Sequence, residues 1–303
     1  MKLGYDRPLY ILPFDHRASF SKGLFGFNQP LSSQQVARVA ASKHVVYDGF
    51  RQALAMGAPP EATAILTDEQ FGTAILKDAK AYKTTICIPV EKSGQDEFNF
   101  EYGDRWRDHI DAFSPDFVKA LVRYNPEGDE VLNRRQISRL KDVSDYCKRT
   151  GRHFMFELLV PMTTEQFERL EGDHRLYDHD LRPSLMIASI KEFQQSGVEP
   201  DVWKIEGLDR PDDCRALVKA ARRDGRNNVG CIVLGRGADE NGIIDWLRNA
   251  APVAGFIGFA VGRTSFWDSL VGLRDRMLSR EEAVDEIAGR FLKWIDLFTC
   301  NNQ

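Results

Sequence analysis

The stretch SLMIASIKEFQQSGVEPDVWKIEG, residues 184–207, reads as a helix followed by a strand. Ser184 can cap a helix through LMIASIKEFQQ, which stops at Gly197. DVWKIEG (201–207) then supplies a short apolar run: Val202, Trp203 and Ile205 suit a buried strand, and Gly207 is placed to break it. In the middle stands Lys204. A lysine in a low-dielectric interior is strongly disfavoured unless it is paired or loses its proton, so the position needs a reason.

The same unit recurs along the chain. Strands are expected at LYILPF (9–14), TAIL (63–66), TTICIPV (84–90), FVKALVRY (117–124), HFMFELLV (153–160), DVWKIEG (201–207), GCIVL (230–234) and GFIGFAV (255–261). Between them lie helices with readable ends. Ser32 or Ser33 can cap one running to Gly57, and DDCRALVKAARRD stops at Gly225. FWDSLVGLRDRML follows the last strand, and Ser279 with Glu282 has capping-box spacing that opens a final amphipathic helix to about Phe298. Eight apolar strands alternating with helices predict a (β/α)8 barrel, a single domain over residues 1–303 with that C-terminal helix appended. The competing architecture is an open doubly wound sheet, but no Gly-rich GxGxxG follows the first strand to favour it.

Composition narrows the function classes. The 303 residues are 43% hydrophobic and 28% charged, with a formal net charge of -4, and the basic residues are scattered. Nucleic acid is therefore not an expected partner, and no apolar stretch approaches the ~20 residues that span a bilayer. Cys87, Cys147, Cys214, Cys231 and Cys300 form no CxxC pair and nothing resembles a signal peptide, so reduced thiols in a cytoplasmic protein are expected. The oligomeric state stays open, because the apolar face of the final helix can pack on the barrel or on a second subunit.

In a barrel the C-terminal strand ends form the active face, which gives weight to polar residues late in apolar strands. Alternation puts Val202, Lys204 and Glu206 on one face; the fifth strand supplies Glu157, the fourth Lys119 in step with Arg123 and Asn125, and the first ends in Asp15, His16 and Arg17. Two lysines and two carboxylates thus converge. A lysine among apolar walls and near a second cation has a lowered pKa and a free amine, able to form a Schiff base with a carbonyl while a carboxylic acid moves protons. The plainer alternative is an ion pair of Lys204 with Glu157 or Glu206. VLGRGADE (233–240) and FAVGRTSFW (259–267) each put Gly-Arg directly after a strand, as phosphate sites in barrels do; two tight turns with exposed arginines are the plainer reading. Metal chemistry finds little support. His16, His44, His109, His153, His174 and His179 show no HxH or HExxH spacing, and HRLYDHD (174–180) reads as a polar loop before a helix. Trp246 and Trp294 lie at helical spacing, as packing residues do.

At these residues the chain resembles the class I aldolases of the tagatose-bisphosphate aldolase type, and more closely the aldolase-like domain fused behind the sugar kinase of inositol catabolism. The likeness rests on LPFDHR (12–17), DVWKIEGLD (201–209) and GFAVGRTSFWD (258–268), with weaker echoes in ILTDEQFG (65–72), VEKSG (90–94), VKALVRYNPE (118–127) and FELLVP (156–161). The resemblance implies Lys204 as the Schiff-base lysine, Glu157 as the proton-transferring acid, Lys119 as the second lysine, Asp15 as the aspartate after strand one and Arg263 as the phosphate contact. Gly262, Gly235 and Arg17 join Arg263 as expected substrate or phosphate contacts. Where tagatose-bisphosphate aldolases carry a serine-containing turn after strand seven, this chain has Gly235, Arg236 and Gly237, and Arg236 suits a carboxylate better than a second phosphate. The sequence opens almost at strand one, so the kinase half of the fused relatives is missing and phosphorylation is expected elsewhere. The expectation is a metal-independent lyase with no cofactor, acting on a small phosphosugar. Candidate substrates are 5-dehydro-2-deoxy-6-phosphogluconate, tagatose 1,6-bisphosphate and a sulfonated fructose phosphate; a noncatalytic sugar-phosphate-binding barrel is the reading from another class.

Overall fold

The computed structural model describes residues 2–235 and 237–301. Eight strands, β1 (Leu9–Pro13), β2 (Thr63–Leu66), β3 (Thr85–Pro89), β4 (Phe117–Arg123), β5 (His153–Leu159), β6 (Val202–Glu206), β7 (Gly230–Leu234) and β8 (Phe256–Ala260), pair in parallel in chain order. The sheet closes on itself through β1 and β8, with Leu9 opposite Gly258 and Ile11 opposite Ala260. The expected strand boundaries agree with these to within one residue at either end.

The helices are α1 (Ala18–Phe25), α2 (Ser33–Ala55), α3 (Glu69–Ala81), α4 (Trp106–Phe113), α5 (Glu130–Thr150), α6 (Thr164–Arg169), α7 (His174–Leu176), α8 (Arg182–Gln195), α9 (Pro211–Ala221), α10 (Glu240–Ala250), α11 (Arg263–Arg274) and α12 (Arg280–Cys300). Ser32 and Ser279 each form a complete capping box, satisfying backbone N–H groups at the starts of α2 and α12. Two expectations change. Ser184 lies inside α8 instead of capping it, because Pro183 is tolerated in the first turn and a single π turn over Tyr177–Leu181 runs straight into the helix. For the same reason HRLYDHD is helical: Asp173 accepts from the backbone N–H groups of Arg175 and Leu176, which starts α7.

Two cores follow from strand alternation. The outward side chains and the apolar helix faces form a continuous layer between sheet and helices. Inside, Leu9, Ile11, Ala64, Leu66, Phe117, Met155, Val202 and Ile232 fill the lower barrel, and Tyr5 closes its floor edge-on against Phe117 and His153, each at 5.1 Å. The lower barrel is thus packed and largely apolar, and the inward lysines and carboxylates of the described residues stand in the layer above it. The apolar face of α12 packs on its own barrel: Phe291 meets Phe50 and Phe259, and Phe298 meets Tyr10 and Phe259. Trp294 is buried and donates to Ser265 Oγ at 3.1 Å, so it is a packing residue, as its spacing indicates. Trp246 packs over Gly207 and donates to Asp209. Among the described residues no helix is long and apolar enough to cross a membrane.

Barrel closure includes one close backbone approach. A Cβ on Gly258 would lie 1.9 Å from the Leu9 carbonyl oxygen, whereas one on the exposed helical Gly289 would meet nothing within 4 Å. Gly258→Ala is expected to destabilise the protein by more than ~3 kcal/mol, and Gly289→Ala to stabilise it by about 0.5–1 kcal/mol. Urea unfolding of the two variants checks this; equal midpoints would contradict the closure geometry.

Candidate active site

Parallel register sets Glu157 of β5 opposite Lys204 of β6 and Leu121 of β4, with Lys119 one inward step below. These side chains share the upper barrel, so their charges must be met there. Glu157 Oε1 lies 2.9 Å from Lys204 Nζ, and its Oε2 lies 2.8 Å from Lys119 Nζ. Lys119 also reaches Asp15 Oδ2 at 2.9 Å and Glu91 Oε1 at 2.6 Å. Asp15 follows β1 and Glu91 follows β3, so five strands bring their upper ends to one point. All five side chains are buried, with Lys119 1% and Lys204 4% exposed.

This setting corrects one expectation. The walls around Lys204 are not simply apolar: its ammonium is in contact with a carboxylate, and the second lysine stands on the far side of that carboxylate. Nor does Glu206 share the site. Its carboxylate accepts from the Val160 N–H at 3.0 Å and faces Arg182 at 4.0 Å, bridging β6 to β5 and α8.

Electrostatics follow from the contacts. Burial works against the charge on Asp15, yet Lys119 and Lys204 outweigh it and hold that carboxyl far below the usual range. Glu157 is likewise held low, burial being outweighed by Lys119 and Lys204. Burial alone would lower Lys119, but Asp15, Glu157 and Glu91 hold it well above an ordinary lysine. Glu91 goes the other way: burial pushes its carboxyl up, outweighing Lys119 and Arg17.

Two adjoining cavities of about 290 and 220 Å³ open over this cluster and share His16, Leu121, Glu157, Lys204 and Arg263. The larger is walled by the segment after β3, a short antiparallel excursion in which Glu91 bridges Phe100. Arg17 ties it down: its guanidinium donates to Glu101 Oε2 at 2.8 Å and to the Glu91 carbonyl oxygen. Arg17 therefore lines the cavity with both terminal nitrogens committed to protein. Arg123 also lines this lobe and donates to the Gln95 carbonyl at 2.9 Å, whereas Asn125 is turned into the scaffold, donating to Pro161 and Gln166.

The smaller lobe is lined by Gly235, Gly237, Gly262 and Thr264. Gly262 is the N-cap of α11, with no side-chain cap and no acidic residue in the first turn. A Cβ there would meet the Pro13 carbonyl at 2.6 Å, so only glycine keeps this approach. Arg263, exposed, extends over the Trp267 ring at 5.6 Å. Arg236 lies outside the described residues. His16 stands between the lobes; burial, with Arg263 and Lys204 adding, pushes its imidazole down to about 4 despite Asp15, so it is neutral at pH 7.

Sequence reasoning missed Glu91 and the Arg17–Glu101 tie. Glu91 was discoverable, since it directly follows an apolar strand, the position that singled out Asp15. No group of three or more His, Cys, Asp or Glu among the described residues could hold a metal ion.

Lys119 is the hub, so Lys119→Met leaves three buried carboxylates without their shared cation. A loss of about 3–5 kcal/mol at pH 7 is expected. Without Lys119 each of those carboxyls binds protons more readily than in the wild type, so the deficit against wild type shrinks as pH falls toward 5. Denaturant unfolding at both pH values checks this, and a pH-independent deficit would contradict it.

The tagatose 1,6-diphosphate aldolase of Listeria monocytogenes serotype 4a is 28% identical over 203 residues, covering 64% of this chain and 54% of that protein. A tagatose 1,6-diphosphate aldolase of Streptococcus pyogenes serotype M3 is 24% identical over 155 residues, covering 48% and 45%. The match thus spans about half the length of these curated relatives. In structure, the Plasmodium falciparum fructose-bisphosphate aldolase superposes with a TM-score of 0.69 at 11% identity, covering 100% of this chain and 93% of that one. A Corynebacterium glutamicum protein gives 0.57 at 15% identity, covering 97% and 88%. Those likenesses establish the aldolase-like (β/α)8 fold. Residues 5–302 match, nearly end to end, the family described as "Uncharacterized protein conserved in bacteria (DUF2090)", and the chain belongs to that family.

Proposed function

We propose that this protein is a class I aldolase, a carbon–carbon lyase that works through a Schiff base on Lys204. The observation that carries the reading is the buried run Lys204, Glu157, Lys119, with links of 2.9 and 2.8 Å at the mouth of the barrel. A carboxylate held between two lysines can take a proton from one partner and return it to a substrate oxygen or carbon. The named relatives support the same reaction class.

In this reading Lys204 attacks the ketone of a phosphorylated keto acid or ketose, and the iminium draws electrons from the adjacent carbon–carbon bond as it breaks. Glu157 removes the hydroxyl proton that starts cleavage and reprotonates the enamine carbon. Lys119 and Asp15 hold substrate hydroxyls. The phosphate lies in the smaller lobe, where the uncapped start of α11 and Arg263 offer backbone N–H groups and a guanidinium. The other end, a distal carboxylate, enters the larger lobe toward Arg123.

The best substrate on this account is 5-dehydro-2-deoxy-6-phosphogluconate, split into dihydroxyacetone phosphate and malonate semialdehyde in inositol catabolism. Tagatose 1,6-bisphosphate is the second reading, favoured by the names of the relatives. Cleavage assays on both sugars in excess EDTA decide between them. The keto acid is expected to be cleaved with the higher kcat/KM, Lys204→Met to lose on the order of 10³-fold or more in rate, and Arg263→Ala to raise KM. Faster cleavage of tagatose 1,6-bisphosphate would select the second reading. No cleavage of either, or full activity in Lys204→Met, would reject the substrate or the mechanism respectively.

A further inference from the structure

The site poses a proton problem that the mechanism above leaves open. Lys204 lies at ion-pair distance, 2.9 Å, from a carboxylate oxygen, yet only a neutral amine attacks a carbonyl. Glu157 can take the proton, but Glu157 is also needed as the base in the next step. A second acceptor must lie within reach.

The contacts provide one. Lys204 meets Glu157 at 2.9 Å, the other oxygen of Glu157 meets Lys119 at 2.8 Å, and Lys119 meets Glu91 at 2.6 Å. Four groups, alternately basic and acidic, stand end to end: Lys119 donates a hydrogen bond to Glu91, and the two contacts of Glu157 are ion pairs at distances a proton can cross after a small reorientation. Asp15 is a side branch on Lys119 at 2.9 Å. The cluster holds two ammonium groups against three carboxylates, so one carboxylate is in excess. Resting on the proposed aldolase reading, we propose that Glu91 is the terminal proton acceptor of the site, taking through Lys119 and Glu157 the proton that Lys204 sheds before attack.

The balance closes on one proton. Glu157 receives it from Lys204 while passing one to Lys119, and Lys119 in turn passes one to Glu91. Lys204 becomes an amine and Glu91 a carboxylic acid; Glu157 and Lys119 end as they began, and the net charge of the cluster is unchanged. After attack, the reverse transfer delivers the proton to the carbinolamine hydroxyl. The C–O bond then breaks, water leaves with the electron pair, and the iminium forms. Of the three carboxylates Glu91 fits this part best: burial raises its carboxyl toward the protonated form, whereas Asp15 and Glu157 are held down. The charged groups facing it are Lys119, Asp15, and Arg17, whose own partner is Glu101; its Oε2 accepts from the Leu121 N–H at 3.2 Å. Glu91 acts through Lys119, which makes it a positioning and relay residue.

Two measurements test this. In protein labelled with ¹³C at glutamate side-chain carboxyls and free of substrate, one resonance is expected to titrate above the ordinary glutamate range and to disappear in Glu91→Asp and Glu91→Gln. If no glutamate titrates above that range, or the one that does survives both substitutions, the proposal is overturned, whether or not the protein proves to be an aldolase. In cleavage assays Glu91→Gln keeps the shape and the acceptor oxygen but cannot bind the proton. It is expected to lower kcat at pH 7 by about 10–100-fold with KM changed less than about twofold, and to recover as pH rises and solvent takes the proton instead. Glu91→Asp is expected to retain the wild-type pH profile at reduced rate. A Glu91→Gln enzyme with the wild-type pH profile and kcat would overturn the relay.

Discussion

An ammonium group buried in the upper barrel is the constraint around which the site is built. Lys119 stands on β4 with almost no exposure, and a lone charge there would be prohibitively desolvated. It is stable because carboxylates from three separate places, after β1, after β3 and on β5, converge on it. None of these is near Lys119 in sequence; only closure of the barrel in chain order brings them together. The ion cluster therefore depends on the fold, and the upper fold depends in turn on the cluster.

The division of the barrel into a dry lower half and an ionic upper half has a functional consequence. Tyr5, Phe117, Met155 and the small inward residues fill the lower half, and the two cavities that reach the charged layer lie above it. Above it the excursion after β3, tied by Arg17 to Glu101, walls one lobe, while the glycine turns after β7 and β8 open the other. Lys204 lies at their junction. In the proposed reading a substrate with an anionic group at either end straddles it, with Arg123 lining the larger lobe and Arg263 lining both.

Much of this was legible in the sequence, and the pattern of what was not is instructive. Each strand is a short apolar run ended by Gly, Pro or charge, and alternation could set Lys119, Glu157 and Lys204 each on one face of its strand, the face that the barrel turns inward. Parity fails beyond the last paired residue. Glu206 has the inward parity of Lys204 but turns to Val160 and Arg182, and Asn125 leaves the line of Lys119 and Arg123 for Gln166. Glu91 lies one step past the expected third strand, a position that marks it as a candidate as it marks Asp15, although its contact with Lys119 is visible only in the folded chain. Similarly, the helical state of HRLYDHD was hidden by its polar composition, since an N-cap and a π turn stabilise it locally without any apolar stripe.

The central claim is that Lys204 forms a covalent imine, and reductive trapping tests it most directly. Sodium borohydride added to the protein with dihydroxyacetone phosphate, followed by peptide mass mapping, is expected to place the reduced adduct on the peptide containing Lys204 and to leave the Lys204→Met protein unmodified. Saturable binding of dihydroxyacetone phosphate with no adduct on that peptide would contradict the account.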